Sequence, residues 1–262
     1  MDAHLKLSRW GFIIHGCIDG YSRLILYLKC DTSIQAEPVL NFFIEAVNFY
    51  GLPSRVRSDH GYENILVAVL MNTIRGLNRG SHITGQSVHN QRIERLWVDV
   101  FKEVCDFYYS EFNSLEDAKL LDIENNVHLF CLQYIYKDAI NKKLAFFQSA
   151  WNQHRIRTEN NKSPRQLWIE GLLSNYNTSS TAVKDVFDYH DIPLYSRISQ
   201  SMHNLGINVN ELIVNTPITN IPSSFTAIAD LNDDQKESIN GISTSDKADK
   251  EKYILCLNTF IS

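Results

Sequence analysis

The sequence has no long apolar run and no closely paired cysteines. Its longest apolar run, from Ile65 to Met71, is far shorter than the roughly 20 residues that a membrane-spanning helix needs. The first residues also lack the apolar segment of a signal peptide. The five cysteines form no CxxC pair, so neither a disulfide framework nor a zinc ribbon is indicated. These absences predict an intracellular protein without a membrane span, in which the cysteines are buried as small apolar residues.

The sequence also lacks the basic excess that marks many nucleic-acid-binding proteins. Its formal net charge is −5. Residues 1–173 contain 19 basic and 19 acidic residues, whereas residues 174–262 contain 6 and 11. The acidic excess therefore lies entirely in the last third of the chain. A neutral enzyme can still bind DNA through a local basic face and bound metal, so this balance neither supports nor excludes a DNA partner.

Strand and helix patterns alternate in the first part of the chain. The segments GFIIHGCID and SRLILYLKC predict two strands joined by a tight turn at Gly20 and Tyr21. Further apolar patterns predict, in chain order, a helix over about 33–50, a strand over 55–58, a helix over about 62–74, a strand over 81–84 and a long helix from about 87. With Asp2 in a first strand, the order β-β-β-α-β-α-β-α predicts an α/β fold whose mixed sheet is flanked by helices.

The second half of the chain changes character near Leu173. Residues 116–172 are predicted to be helical and end in KSPRQLWIEG, where Ser163 can cap a helix that starts at Pro164. Residues 214–252 are rich in Ser, Thr, Asn and Asp and have little periodicity. We therefore expect a core at 1–173, with a helical extension at about 116–172. Residues 174–262 are expected to form an acidic, divergent, partly disordered tail that light proteolysis removes.

Three acidic residues stand where the predicted elements would bring them together. Asp2 lies on the first strand, Asp59 at the end of a strand and Glu94 in the long helix. Each alone is typical of a terminus, a turn or an exposed helix face. Together, oxygen ligands of this kind suit Mg²⁺ or Mn²⁺. Two such ions can activate a hydroxyl and stabilise the leaving oxygen of a phosphodiester.

Other titratable residues are assigned simpler roles. Asp19, within IDGYSR, is predicted to stabilise the hairpin turn together with Ser22 and Arg23 rather than to act as a further catalytic acid. The histidines lack a clear ligand spacing, and hydrogen-bonding or solvent-facing roles are expected for them. They are His15, His60, His82 and His89.

Several motifs resemble those of the integrase core domain of retroviral-type integrases and DDE transposases, in particular the eukaryotic, transposon-derived type. The motifs are DAHLKLSRW, IDGYSR, SDHGYEN, HNQRIERLWVDVFK and WNQHRIRTENNKSPRQLW, which together span about residues 1–172. The resemblance implies a ribonuclease H-like fold with a mixed five-stranded sheet. It also implies a polynucleotidyl transferase that joins DNA ends with two Mg²⁺ or Mn²⁺ ions.

The same resemblance suggests roles for individual residues, an oligomeric state and a cellular location. Asp2, Asp59 and Glu94 would be the catalytic metal ligands. The candidates for contacting DNA are Asn90, Arg92, Arg95 and Lys102. An active form would be a homo-oligomer on DNA, away from membranes, and nuclear in a eukaryotic host.

Two other functions fit the same residues. One is a domesticated or decayed integrase domain that binds nucleic acid or protein without catalysis; the other is a metal-dependent nuclease related only by fold. The first is favoured by the position of Asp2 beside Met1, where a strand end is expected to fray and the α-amino charge to compete for the carboxylate. On this ground a form extended upstream by strand-forming residues is expected to be more active.

Overall fold

Five short strands lie in the part of the chain that the computed structural model describes, which is residues 1–76, 79–85, 90–175 and 233–261. They are β1 (Asp2–His4), β2 (Ile13–Ile18), β3 (Ile25–Asp31), β4 (Val56–Ser58) and β5 (His82–Thr84). Strands β1, β2 and β3 form an antiparallel sheet in that order, with Asp2 opposite Gly16. Strands β4 and β5 form a separate parallel pair.

The single mixed five-stranded sheet expected from the sequence is therefore not formed among these residues. The α-amino group of Met1 donates a hydrogen bond of 2.7 Å to the carbonyl oxygen of Arg57, which links the start of β1 to β4. No continuous ladder of backbone bonds joins the two sheets among the described residues. The α/β class is confirmed, and the five strands are divided between two sheets.

The helices follow the predicted order. They are α1 (Ala36–Tyr50), α2 (Ile65–Arg75), α3 (Gln91–Val100), α4 (Asp106–Asp117), α5 (Asn126–Gln153), α6 (Pro164–Ser174), α7 (Asp233–Thr244) and α8 (Asp249–Ile261). A π-helical turn, Phe101–Cys105, joins α3 to α4, so that the helical path continues from Gln91 to Asp117. The expected start of this helix near Ser87 lies outside the described residues. Among the described helices, none is both long and apolar enough to cross a membrane.

The antiparallel sheet is packed between two hydrophobic cores. Side chains alternate across β2, so that Ile14 enters one core and Cys17 the other. The α5 core contains side chains from the sheet, α3, α4 and α5, among them Trp10, Phe12, Ile14, Leu28, Trp97, Phe112 and Tyr136. The α1 core contains side chains from the sheet, α1 and α2, among them Tyr27, Val39, Phe43, Leu66 and Met71. This three-layer packing places the antiparallel sheet between helices.

Helix α5 covers the free edge of β3 with amide side chains. Oδ1 of Asn152 accepts a hydrogen bond of 2.8 Å from the Ile25 amide, and its Nδ2 donates one of 3.0 Å to the Ile25 carbonyl. Asn141 makes the same two contacts with Cys30, at 2.9 and 3.0 Å. The side chains thus replace a neighbouring strand, because an edge strand otherwise presents unpaired backbone groups. Asn152, in the last sequence motif, therefore contributes to the fold.

The described part of the carboxy-terminal region, 233–261, is helical and packs on the core. Tyr253 and Cys256 on α8 are fully buried in the α5 core, and Ile239 on α7 is buried there as well. The Tyr253 hydroxyl donates a hydrogen bond of 3.0 Å to the Leu120 carbonyl. Residues 233–261 thus contribute buried side chains to the α5 core. The boundary predicted near Leu173 stays a prediction, because residues 176–232 lie outside the described part.

Candidate active site

Asp2 is held on the sheet by a tryptophan of α3. The indole Nε1 of Trp97 donates a hydrogen bond of 2.8 Å to Oδ2 of Asp2. Gly16, opposite Asp2 on β2, leaves the space for this ring, since a Cβ on Gly16 would stand 2.6 Å from Cη2 of Trp97. The residues that fix the Asp2 carboxylate thus come from two strands and one helix.

Asp59 lies in the turn that leads from β4 into α2. Its Oδ1 accepts hydrogen bonds from the backbone amide of Gly61, at 3.2 Å, and from Nδ2 of Asn64, at 3.1 Å. A turn of 3₁₀-helix at Tyr62–Asn64 then leads into α2. The carboxylate is therefore bound to its own turn, with no ion pair to it among the described residues.

Glu94 lies in the first turn of α3, on its exposed side. The start of this helix is tied to β1, because Nδ2 of Asn90, the residue that precedes α3, donates a hydrogen bond of 3.1 Å to the Met1 carbonyl. Further along α3, Trp97 reaches Asp2. These two contacts lie about one helical turn before and one turn after Glu94. They fix the helix that carries Glu94 against the strand that carries Asp2.

The three carboxyl groups influence one another electrostatically. Burial raises the pKa of Asp2, and the charge of Asp59 raises it further, against the lowering effect of the Trp97 hydrogen bond. Loss of solvent raises the pKa of Glu94, and the charges of Asp2 and Asp59 act in the same direction. The charge of Asp59 thus acts on both Asp2 and Glu94, so nearby positive charge would favour the charged forms of these two carboxyl groups.

A fourth carboxylate, Glu63, belongs to the same cluster and was missed by the sequence reasoning. It is 8% exposed, and its Oε1 accepts a hydrogen bond of 3.3 Å from Asn64. Burial raises its pKa, as do the charges of Asp59 and Asp2. Gly61 makes room for it, since a Cβ there would collide with the Glu63 carboxylate. In the sequence, the signal for Glu63 was its short spacing from Asp59 in SDHGYEN, where Gly61 and Glu63 flank the exposed Tyr62.

The donor set suits hard divalent cations, although the carboxylates do not form a closed cage. Among the described residues, no three His, Cys, Asp or Glu side chains are close enough together to hold one metal ion. All four groups are nevertheless carboxylates, which Mg²⁺ and Mn²⁺ prefer. The chemistry of the residues therefore fits such ions. Each ion would be held by fewer than three of these side chains.

The residues predicted to contact DNA occupy different positions. Arg92 and Arg95 on α3 are exposed and line a cavity of about 1070 Å³. Arg95 also pairs with Asp99 at 3.0 Å. Lys102, in the π-helical turn, is exposed and lies 4.0 Å from Glu103, outside the lining of that cavity. Asn90 lines the cavity, but its amide is used to hold Met1.

The start of the chain is more tightly held than the sequence suggested. Met1 is 5% exposed, and its α-amino group binds the Arg57 carbonyl rather than the Asp2 carboxylate. Residues 2–4 pair with β2. The fraying of β1 stays a prediction. The α-amino charge does act on Asp2, since it lowers the pKa of that carboxyl. The effect of an upstream extension on activity stays a prediction.

The simpler roles assigned to other residues agree with the structure where it describes them. Oδ2 of Asp19 accepts hydrogen bonds from the backbone amides of Tyr21 and Ser22 and from the Ser22 hydroxyl, as expected of a turn residue. His15 contacts the Ser33 carbonyl at 3.2 Å, and His82 contacts the Ser58 hydroxyl at 3.3 Å. His89 lies outside the described residues.

Comparison with known proteins identifies the family. A search of curated proteins and a search of solved structures found no match. A family model described as "Integrase core domain" matches residues 1–182, which include both sheets, the carboxylate cluster, α5 and α6. The match covers more than half of the 262 residues, and the chain therefore belongs to the integrase core domain family.

Proposed function

We propose that this protein is a polynucleotidyl transferase of the integrase or transposase type, whose catalytic residues are Asp2, Asp59 and Glu94. Membership of the integrase core domain family ties the chain to DNA integration or transposition in general. The finer proposal is that these three carboxylates bind two Mg²⁺ or Mn²⁺ ions during cleavage and joining of DNA strands.

The observation that supports the proposal is the electrostatic coupling of carboxylates from distant parts of the chain. Asp2, on β1, and Asp59, after β4, each raise the pKa of Glu94, on α3. No ion pair to any of the three exists among the described residues. Bringing like charges together without a counter-charge destabilises a fold, and such arrangements are typical of cation-binding and catalytic sites.

The residues around the cluster have supporting roles in this proposal. Two bound divalent ions would polarise the scissile phosphate and stabilise the attacking and leaving oxygens. Asp2, Asp59 and Glu94 would hold those ions, and Glu63 would add negative charge beside Asp59. Trp97 would keep the Asp2 carboxylate in one orientation, and Asn64 would do the same for Asp59, because partners of ligands commonly fix ligand geometry. Arg92 and Arg95 would contact DNA phosphates beside the cluster.

The proposal is tested by Asp59→Asn and Glu94→Gln, which remove charge with little change in volume. Each variant is expected to lose binding of Mn²⁺, measured by titration calorimetry, and to lose Mn²⁺-dependent nicking of supercoiled plasmid DNA. The control is Glu103→Gln, which removes an exposed carboxylate, 59% accessible, from the turn that follows α3. This control is expected to bind Mn²⁺ and nick DNA as the unaltered protein does.

Folding must be matched before the variants are compared. Glu94 is exposed and its charge is opposed by those of Asp2 and Asp59, so Glu94→Gln is expected to unfold at the same or a slightly higher urea concentration than the unaltered protein. Unaltered Mn²⁺ binding in both charge-removing variants would overturn the metal assignment. An unaltered protein that binds Mn²⁺ but nicks no DNA would instead favour the decayed integrase domain.

A further inference from the structure

Two of the five cysteines meet inside the α5 core, although 125 positions separate them in the sequence. Cys131 lies on α5 and Cys256 lies on α8. The Sγ of Cys256 donates a hydrogen bond of 3.0 Å to the Sγ of Cys131. Both side chains are fully buried, and both are free thiols. The fold therefore creates a dithiol pair that no short spacing in the sequence indicates.

The two sulfurs need to move little to become covalently bonded. A disulfide bond is about 2.05 Å long, so the separation of 3.0 Å would have to shrink by about 1 Å. Small rotations of the two side chains within their preferred conformations can supply a movement of this size. The packing of α8 on α5 thus holds the two thiols in position for a disulfide.

Contacts on both sides of Cys256 fix this arrangement of the helices. Tyr253, three residues earlier, is fully buried, and its hydroxyl donates a hydrogen bond of 3.0 Å to the Leu120 carbonyl. Phe260, four residues later, packs edge-on against Phe130 of α5, with ring centroids 5.7 Å apart. Residues three and four apart lie on the same face of a helix. The face that carries Cys256 is therefore held against the core on both sides of the sulfur.

The other three cysteines are buried in different surroundings. Cys17 lies in the α1 core, on the other side of the antiparallel sheet. Cys30 and Cys105 lie in the α5 core, where the Cys105 sulfur contacts Nδ1 of His4 at 4.0 Å. Among the described residues, the only hydrogen bond between two cysteine sulfurs is the one in the α5–α8 pair. An oxidant that reaches the core is therefore expected to link this pair.

The docked helices protect the pair from direct oxidation. The thiolate, not the thiol, attacks an oxidant. The hydrogen bond that Cys131 shares with Cys256 raises the pKa of the Cys131 thiol, and burial raises it further, so this thiol stays protonated. Reaction therefore needs α8 to open locally away from α5, which parts of a protein do without global unfolding.

We propose that Cys131 and Cys256 are an oxidation site, at which hydrogen peroxide forms a disulfide that fastens α8 to α5. While the thiols are reduced, α8 opens and closes on α5. Once the disulfide is formed, α8 stays on the core. A cross-link between residues so far apart in sequence stabilises the fold mainly by restricting the unfolded chain. The inference is independent of the proposed DNA chemistry.

The oxidation has two steps. The sulfur of one cysteine, exposed by local opening and deprotonated, attacks one oxygen of hydrogen peroxide. An S–O bond forms, the O–O bond breaks, and the leaving hydroxide takes up the proton of the thiol as water. The sulfur of the other cysteine then attacks the sulfenic sulfur, so that the S–S bond forms and the S–O bond breaks. The second proton leaves with that hydroxide, so two thiols and one peroxide give one disulfide and two waters.

The bond is tested by mass spectrometry of the full chain after treatment with hydrogen peroxide. Thiols that remain are alkylated in denaturant without reducing agent. We expect three alkylated cysteines instead of five, and one pair of peptides linked through Cys131 and Cys256. Dithiothreitol should restore all five alkylated cysteines. Five alkylated cysteines after peroxide treatment, a link between any other two cysteines, or sulfinic acid without a link would overturn the inference.

Thermal unfolding tests whether the bond fastens the helix. Oxidation is expected to raise the Tm of the unaltered protein by about 5–10 °C, and dithiothreitol should reverse the rise. Cys131→Ala and Cys256→Ala should show no such rise. The matched control is Cys105→Ala, which removes another fully buried thiol of the α5 core and should keep the rise. A rise of the same size in Cys256→Ala would contradict the inference, and the peptide mapping decides it even where an alanine variant folds poorly.

The role of local opening is tested in the reduced protein with N-ethylmaleimide. Tyr253→Ala removes buried contacts that hold α8. Cys131 and Cys256 are therefore expected to be labelled at least about tenfold faster in this variant than in the unaltered protein. The labelling rate of Cys17, in the α1 core, should rise less. Equal labelling rates of Cys256 in the two proteins would show that α8 does not control access to the pair and would overturn the proposed route.

Discussion

Trp97 and Asp2, 95 residues apart in sequence, are joined by a hydrogen bond of 2.8 Å from the indole Nε1 to the carboxylate Oδ2. The bond ties α3, which carries Glu94, to β1, which carries Asp2. A hydrogen bond of this kind fixes the orientation of a carboxylate and favours its charged form. Trp97 therefore stabilises the fold and the geometry of the proposed metal site together.

Trp97→Phe is expected to weaken Mn²⁺ binding by about 10–100-fold, because loss of a group that orients a metal ligand has effects of this size. Trp10→Phe is the matched control, since Trp10 also donates an indole hydrogen bond to a carboxylate, Glu116, at 2.6 Å. Both variants are expected to lose about 1–3 kcal/mol of unfolding free energy, measured by urea denaturation. Equal Mn²⁺ affinities in the two variants would show that the Trp97 bond has only a structural role.

Gly16→Ala is expected to lose about 1–3 kcal/mol of unfolding free energy, because the new methyl group would stand 2.6 Å from the Trp97 ring and the packed core resists the shift. The Trp97 ring must move, so Mn²⁺ binding should weaken as well. Gly20→Ala is the control: nothing lies within 4 Å of a Cβ there, and its unfolding free energy should stay within about 0.5 kcal/mol. Equal stability of the two variants would mean that the ring has room to move.

Local patterns predicted most of the helices and the hairpin. Apolar spacing is periodic in α1, α2 and α3, and Asp19 followed by Gly20 marks the turn between β2 and β3. The single five-stranded sheet is not formed among the described residues, and pairing between strands as distant as β1 and β4 is not encoded in either segment alone. Strand pairing depends on tertiary packing more than on local propensity.

The candidate site was also only partly predictable, because the burial of a side chain depends on tertiary packing. Asp2, Asp59 and Glu94 were proposed from motif spacing, and their role stays a proposal. The buried carboxylate Glu63 was missed because a lone acid in a helical turn is usually exposed. Its burial follows from the fold of the turn at Gly61. The packing of α8 was missed because the average composition of 214–252 is polar. Tyr253, Cys256 and Leu257, spaced i, i+3, i+4, already formed an apolar stripe just beyond it.

His15 makes the stability of the protein depend on pH. It is 1% exposed, and burial lowers the pKa of its imidazole from the ordinary value of 6.5. Below pH 6.5 the unfolded chain therefore takes up a proton that the folded protein does not, so the unfolding free energy falls as the pH falls through this range. The maximum slope for one group is about 1.4 kcal/mol per pH unit.

His15→Gln is expected to make this pH dependence shallower between pH 6.5 and 5, although His4 and His82, whose pKa values are also lowered by burial, keep part of it. Urea denaturation at pH 7.5, 6.5 and 5.5 measures the difference. His128→Gln, at an intermediate-exposure position near the start of α5, serves as a control for the loss of an imidazole. The hypothesis fails if His15→Gln and the unaltered protein lose the same free energy between pH 6.5 and 5.5.

Tyr253 tests whether α8 is part of the core. Its side chain is fully buried and its hydroxyl bonds to the Leu120 carbonyl. Tyr253→Ala is expected to lose about 3–5 kcal/mol of unfolding free energy, as large aromatic truncations in cores do. Tyr253→Phe keeps the ring and removes only the hydrogen bond, so a loss of about 1 kcal/mol of unfolding free energy is expected. The Leu120 carbonyl that is left unpaired should increase this loss somewhat.

Limited proteolysis of the same variants shows where the destabilisation acts. If α8 packs on α5 as described, fragments of the unaltered protein should keep residues 233–261 associated with the core through size-exclusion chromatography, even after cleavage elsewhere in the chain. Tyr253→Ala should release them, because the buried contacts that hold α8 against α5 are reduced. Two results together would contradict this. Residues 233–261 would dissociate from the unaltered protein, and Tyr253→Ala would lose less than about 1 kcal/mol of unfolding free energy. They would mean that α8 contributes little to the core, as the polar composition of the preceding residues predicts.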